Sequence, residues 1–129
     1  INFNYPAPEI SMPIFNLVIN HGQSPRNASY AYIVVPGINH PEKMETYSCR
    51  HLKIERNDTE IQAVNNRKSG ILQIVFFKPG TFDNEEIKVK ALKPCVVQIK
   101  KSKGKVTDMQ IADPQNQEKL KPGVDVIIL

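Results

Sequence analysis

Hydrophobic and polar side chains alternate along most of the chain, and a period of two is typical of β-strands with one buried face. The alternation is clearest from residue 52 onward, where short apolar segments are separated by Gly, Pro, Asn and Asp turn signals. The segments predicted as strands begin near Leu52, Glu60, Gly70, Ile87, Cys95, Val106 and Val124. Many short strands at close intervals predict an all-β fold, an antiparallel β-sandwich.

One segment, "PEKMETYSC" at residues 41–49, is the best candidate for a short helix. Pro41 suits a first helical turn, and Glu42 and Glu45 favour a helix N-terminus. We expect one or two turns within a linker, residues 39–51. The linker would join an N-terminal part, residues 1–38, to a small C-terminal β-sandwich domain, residues 52–129.

The N-terminal part holds two apolar segments around a polar loop. "IFNLVIN" alternates as a strand with one wetter face should, and "YAYIVVP" is apolar on both faces. Both segments are therefore predicted strands, with Tyr30 and Tyr32 covered on both sides. So small a part cannot bury its own apolar faces. It belongs either to the same core or to a sheet whose other strands are not in this sequence.

Candidate catalytic chemistry is sparse. His21 with Tyr30 or Tyr32 could form an acid–base pair, because both residue types carry protons. The strand pattern instead favours tyrosines that pack their rings. His21, His40 and His51 have no metal-ligand spacing, and the sequence contains no nucleophile motif or phosphate loop. We therefore expect no catalytic residue, no metal ligand and no cofactor in this region.

The chain has a formal net charge of +4 and an isoelectric point near 9.1, a mild preference for anionic partners. The candidates for contact with an acidic glycan are Lys100, Lys101, Lys103 and Lys105. The alternative is a solvated sheet face, because lysines on strands keep sheet edges soluble. Nucleic-acid motifs are absent, and no apolar stretch reaches the roughly 20 residues of a membrane helix. We expect neither a nucleic-acid partner nor a membrane span.

The two cysteines, Cys49 and Cys95, have no metal-site spacing and no CxxC arrangement. Cys95 lies in the strand-like run "PCVVQI", so a buried free thiol is expected there. A disulfide between the two remains an alternative at this point.

Three segments carry a family resemblance. "INHGQSPRNASYAYIVVPG" resembles the HG-x-x-P…Y-x-Y…P segment near the end of the large β-sandwich of polysaccharide lyase family 8, the chondroitin, hyaluronate and xanthan lyases. "NDTEIQAVNNRKSGILQIVFFKPG" resembles the opening of that family's small C-terminal β-domain. "VTDMQIADPQNQ" resembles a later strand of the same domain, with Gln115 where the family commonly has Thr. The resemblance spans about residues 14–117.

The resemblance implies a scaffold. Family members cleave uronic-acid-containing polysaccharides by β-elimination, with catalytic residues in an N-terminal helical toroid that this chain lacks. No residue here matches those motifs, so the chain is expected to be inactive alone, although its parent protein would be a carbon–oxygen lyase. The residues of the matching loop motif are expected to be structural: His21, Gly22, Pro25, Tyr30, Tyr32 and Pro36.

The resemblance also implies surroundings and partners. The chain would be a non-catalytic C-terminal region that buttresses the catalytic domains of a secreted or periplasmic enzyme. Its partners would be the upstream helical domain, the rest of the large β-sandwich and, through the parent enzyme, an acidic polysaccharide of the chondroitin or hyaluronan class. Calcium binding by the parent stays open. The alternative is a stand-alone β-sandwich that binds acidic glycans or a protein partner.

Overall fold

The computed structural model describes residues 11–114 and the strand Val124–Ile128. The chain divides into two compact units, Ile1–Tyr32 and Ile33–Leu129.

The second unit contains one short helix followed by strands in two antiparallel sheets. The helix α1 spans Pro41–Glu45, and the strands are β1 Leu52–Asn57, β2 Ile61–Asn66, β3 Ile71–Phe76, β4 Gly80–Asp83, β5 Ile87–Ala91, β6 Cys95–Ser102, β7 Lys105–Ala112 and β8 Val124–Ile128. A five-stranded sheet has the order β1-β2-β3-β6-β7, and a three-stranded sheet has the order β4-β5-β8. The predicted all-β antiparallel sandwich with one short helix is confirmed.

The core lies between the two sheets and is built from alternate residues of the strands. The buried apolar side chains are Ile61, Ala63, Leu72, Ile74, Phe76, Phe82, Ile87, Val89, Ala91, Cys95, Val97 and Ile99. Burying a side chain the size of Leu or Phe contributes about 1.5–3 kcal/mol each. The predicted alternation in β5 is confirmed, since Lys88 and Lys90 are exposed between buried neighbours. The core therefore fixes which face every strand residue takes.

Three hairpin turns use the same side-chain device. Asp58, Asn66 and Asn84 each stand at the start of a turn, and the Oδ1 atom of each accepts two backbone N–H groups, two and three residues further on, at 2.8–3.2 Å. Such side chains mimic a backbone turn and satisfy donors that the ladder leaves unpaired. Asp58 also accepts a hydrogen bond from Arg56 Nε at 2.5 Å. That contact, with the two backbone donors, lowers the pKa of Asp58 to about 2.

Two glycines occupy left-handed backbone positions in the five-stranded sheet. Gly104 (φ +74°) follows Lys103 (φ +51°) in the β6–β7 hairpin, and positive φ at both central residues matches the twist of the flanking strands. The turn predicted at "SKGK" is confirmed. Gly70 (φ +67°) ends the β2–β3 turn, and its carbonyl accepts the backbone N–H of Lys101 at 2.7 Å. A Cβ on Gly70 would lie 2.2 Å from the carbonyl oxygen of Lys101.

Several predictions about the second unit need correction. The helix has the predicted length of one or two turns but ends at Glu45, before the end of the candidate segment 41–49, and the sequence pattern missed β4. Met109 and Ile111 pair with the buried Ile99 and Val97, so they lie on the predicted face, yet 40% and 37% of their surfaces stay exposed. The reason is that β7 is an edge strand of the five-stranded sheet. The turn predicted at residues 121–123 lies outside the described residues.

The two strands predicted in the N-terminal part do not form within the described residues of this chain. Residues 11–35 form neither helix nor strand, and all of those from 11 to 34 are exposed. Tyr30 and Tyr32, predicted to be covered on both sides, are 60% and 63% exposed. A strand requires a neighbour for its backbone hydrogen bonds, and none of the described strands forms a β-ladder with residues 11–35. The predicted turn at Pro36 is confirmed, with Gly37 at φ +82°.

The close approach at Gly70 gives a testable prediction. Gly70→Ala should lower the free energy of unfolding by about 3 kcal/mol, since a left-handed non-glycine residue costs roughly 1–2 kcal/mol and a disrupted hydrogen bond about 1 kcal/mol. The matched control is Gly104→Ala, which has the same kind of φ but no atom within 4 Å of the added Cβ. It should lose only about 1–2 kcal/mol. Urea unfolding of both variants measures the difference, and equal losses would contradict the close-approach argument.

Candidate functional site

A pocket of about 580 Å³ opens at one end of the sandwich, between the two sheets. It is bounded by the starts of β1 and β3, the ends of β2 and β6, the β6–β7 turn and the β4–β5 turn. We call it the end pocket. Small-molecule sites commonly have volumes of about 300–1,000 Å³, so the end pocket has the size of a ligand site.

Buried polar side chains form one wall of the end pocket. Glu55, where the register of β1 shifts against β2, has only 6% of its side chain exposed. Lys53 Nζ lies 2.6 Å from its Oε2, and Asn65 Nδ2 donates to its Oε1 at 3.3 Å. Asn65 is itself buried. Buried polar groups cost free energy unless they are paired, and here each partner satisfies one oxygen of the carboxylate.

A second ion pair crosses from one sheet to the other. Lys101 on β6 donates to Glu86 Oε2 in the β4–β5 turn. The Lys101 side chain is 14% exposed, whereas that of Glu86 is 61% exposed. The hydrogen bond from Lys101 lowers the pKa of Glu86 below its usual range. The end pocket therefore holds an almost buried cation whose carboxylate partner lies on the rim.

The candidate lysines are not equivalent. Lys100, Lys103 and Lys105 are exposed, as expected for the β6–β7 hairpin. Lys101 differs, because it takes the inward position that follows Cys95, Val97 and Ile99 in the alternation. Lys103 lines the end pocket together with Lys101. Whether these lysines contact a glycan remains a prediction.

The loop motif of the N-terminal unit brings three rings together. The centroids of His21 and Tyr30 are 5.9 Å apart, and those of Tyr30 and Tyr32 are 6.5 Å apart with nearly parallel planes. The turn beside His21 is set by Asn20, whose Oδ1 accepts the N–H of Gly22 at 2.8 Å. The tyrosines keep the spacing of alternate residues, but their rings are open to solvent. A structural role for this motif remains a prediction.

Neither cysteine forms a disulfide. Cys95 is buried in the core, as predicted, and burial raises the pKa of its thiol. A thiol held protonated in an apolar core is a poor nucleophile, so Cys95 acts as a packing residue. Among the described residues, no group of His, Cys, Asp or Glu could hold a metal ion. Within the same residues, no helix is long and apolar enough to cross a bilayer.

Sequence reasoning missed Glu55, Asn65 and Glu86 as members of a site. The signal for Lys101 was present, since the alternation through Val97 and Ile99 places it inward. The register shift that accompanies the burial of Glu55 has no comparable sequence pattern. Glu86 meets Lys101 only because the two sheets face one another, which a local pattern does not report.

Comparisons with known proteins give a consistent result. Residues 53–121 match the C-terminal beta-sandwich domain of polysaccharide lyase family 8, and residues 1–48 match the super-sandwich domain of the same family. The chain is 40% identical over 119 residues to a chondroitinase-AC of Pedobacter heparinus, which covers 92% of this chain and 17% of that protein. A hyaluronate lyase of Thermasporomyces composti is 29% identical over 116 residues, covering 89% of this chain and 14% of the relative.

A solved structure of chondroitinase AC lyase shows the same fold. Its TM-score is 0.60 at 32% sequence identity, and the match covers 81% of this chain and 17% of that one. The chain thus spans about a sixth of the length of the chondroitinase AC proteins that it matches.

The lysine geometry predicts weak, salt-sensitive binding to sulfated glycans. Lys101 is paired, and exposed lysines act as point charges that salt screens over roughly 8 Å at physiological ionic strength. Retention on immobilised heparin should be lost by about that ionic strength. Replacing Lys100, Lys103 and Lys105 with Gln should weaken retention more than Lys88→Gln plus Lys90→Gln on β5. Retention well above physiological salt that disappears in the triple variant would instead establish the hairpin as a dedicated glycan site.

Proposed function

The chain belongs to polysaccharide lyase family 8, and from this premise we propose that it is the non-catalytic C-terminal β-region of a lyase. The parent enzyme would cleave uronic-acid-containing glycans by β-elimination. The two matched domains are both β-sandwich domains and follow one another along the chain. The observation that carries the proposal is this pair of matches, since the resemblance assigns the catalytic residues to a helical domain and neither matched domain is helical.

The N-terminal residues support a buttressing role. Phe15, Ile14 and Val34 are among the most exposed apolar side chains of the chain. Large apolar side chains that stay exposed favour an interaction site when they meet a partner. We propose that residues 1–38 are terminal strands of the large β-sandwich and pair with strands of the parent protein. The catalytic helical domain would rest against that sandwich.

The relatives support the substrate class. One is a chondroitinase and the other a hyaluronate lyase. We propose that the parent enzyme acts on an acidic polysaccharide of the chondroitin or hyaluronan class and that it is secreted or periplasmic, where such polymers are met. The loop residues His21, Tyr30 and Tyr32 would then be structural parts of the completed sandwich.

A second candidate function is a β-sandwich that binds acidic glycans by itself. The observation in its favour is the group of exposed lysines on the β6–β7 hairpin, Lys100, Lys103 and Lys105. The gene sequence distinguishes the two candidate functions. The first candidate requires that several hundred upstream codons encode further residues, including a helical domain.

The first proposal predicts that the 129-residue chain has no lyase activity. Incubation with chondroitin sulfate and hyaluronan should give no growth of the ultraviolet absorbance of unsaturated uronates, because the chain would supply no base for the C5 proton. The chondroitinase-AC of Pedobacter heparinus serves as the positive control on chondroitin sulfate. Enzyme-like growth of the signal that survives repurification would overturn the non-catalytic assignment.

A further inference from the structure

The ion pair between Lys101 and Glu86 is asymmetric in the way its two ends are held. Lys101 is anchored on both sides: its backbone N–H donates to Gly70, and its side chain continues the inward row of β6. Glu86 stands in the β4–β5 turn, with most of its side chain in solvent. The cation is therefore fixed in the end pocket, whereas its carboxylate partner lies at the solvent-exposed rim.

The solvation of Glu86 adds little to the cost of opening the pair, provided that another anion takes its place beside Lys101. Ion pairs with a solvent-exposed member contribute small net free energies, because water solvates the exposed charge when the pair opens. Lys101 is the opposite case, since an almost buried ammonium needs an anion or a hydrogen-bond acceptor nearby. A ligand carboxylate that entered the end pocket would replace Glu86 with a group of the same charge and geometry.

Three further cations border the same space, and one of them, Lys53, is already paired with Glu55. Arg67, which follows β2, and Lys103, in the β6–β7 turn, line the end pocket with Lys101. The charge of Arg67 acts on Glu86, since it contributes to the lowered pKa of that carboxyl. Arginine binds a carboxylate through two parallel N–H donors, which adds direction to the attraction. An incoming carboxylate would thus meet more than one cationic group.

The other side chains that line the end pocket indicate the chemical character of the uncharged part of a ligand. The described apolar side chains that line the end pocket are Ile87 and Val106. The same pocket is lined by the buried Asn65 and Glu55 and by the half-exposed Lys53, a network that offers both donors and acceptors. Most drug-like sites are predominantly apolar. A wall of paired polar groups instead suits a hydroxylated ligand, whose O–H groups both donate and accept.

We propose that the end pocket binds a carboxylate-bearing saccharide unit, with Lys101 as its principal cationic contact and Glu86 as the internal carboxylate that the ligand displaces. This site goes beyond the proposed scaffold function. The choice of a uronate as the probe rests on that function, whereas the carboxylate site rests on the geometry of the pocket.

The test is a titration of the 129-residue chain with glucuronate at constant ionic strength, followed by amide chemical shifts. Shifts should concentrate at Gly70, Ile87 and Gly104, which line the pocket. Glu86→Gln removes the competing carboxylate and should tighten binding on the order of two- to fivefold. Lys101→Met keeps the aliphatic stem of the side chain but removes the ammonium. The affinity for glucuronate should fall about tenfold or more, which corresponds to the loss of one charge-assisted hydrogen bond.

Matched controls separate the pocket from general electrostatics. Asp83→Asn also removes one carboxylate from the β4–β5 hairpin, but that carboxylate pairs with Lys88 at 3.2 Å outside the pocket. It should leave glucuronate affinity unchanged. Glucose lacks the carboxylate of glucuronate and so measures what the carboxylate contributes to binding. Inorganic sulfate is an anion without a sugar ring and so measures what the hydroxylated ring contributes. Both should bind at least about tenfold more weakly than glucuronate.

Three results would overturn the proposal. They are shifts outside the pocket, sulfate binding equal to that of glucuronate, and an affinity that Glu86→Gln leaves unchanged or lowers. If Lys101→Met does not fold, Arg67→Gln and Glu86→Gln test the proposal instead. Arg67→Gln should lower the affinity for glucuronate, and Glu86→Gln should raise it. The lyase assay of the scaffold function has a different readout, so either idea can fail without the other.

Discussion

Two antiparallel sheets that face each other across one apolar layer determine the rest of the structure. Because alternate residues of each strand must enter that layer, the positions of Leu72, Ile74, Val89 and Val97 fix the register of their strands. A shift of one residue would turn those side chains to solvent and bring polar ones inward. The Asp and Asn side chains that close the turns, and the glycine that lets β6 approach the β2–β3 turn, all serve this register.

The same alternation creates the candidate site. At the end of the sandwich the apolar layer stops, yet the strands continue, so their inward positions are filled by Lys53, Asn65 and Lys101. Glu55 pairs with Lys53 of its own strand and with Asn65 of the neighbouring strand, and Glu86 pairs with Lys101 of the opposite sheet. The end pocket is thus a direct consequence of strands that are longer than the core they cover, and its polarity follows from its position at the rim.

The sequence predicted those parts of the fold that depend on local pattern. Alternation located most strands, and Lys103-Gly104 located a hairpin turn whose backbone needs positive φ. The sequence pattern failed where the conformation of a segment depends on a partner outside that segment. "YAYIVVP" has the composition of a covered strand, but none of the described strands forms a β-ladder with it, and Tyr30 and Tyr32 are exposed. Glu86 could not be assigned to a site because its neighbour Lys101 comes from the opposite sheet.

If the layer between the two sheets is the ordered core of this chain, the backbone amides of residues 14–34 are protected from hydrogen exchange only when a partner is bound. Amide hydrogen exchange on the 129-residue chain tests this directly, since exchange reports local opening of backbone hydrogen bonds. We expect the slowest exchange at Leu72, Ile74, Val97 and Ile99, and exchange orders of magnitude faster throughout residues 14–34. Slow exchange in residues 14–34, comparable to that of β3 and β6, would contradict this division of the chain.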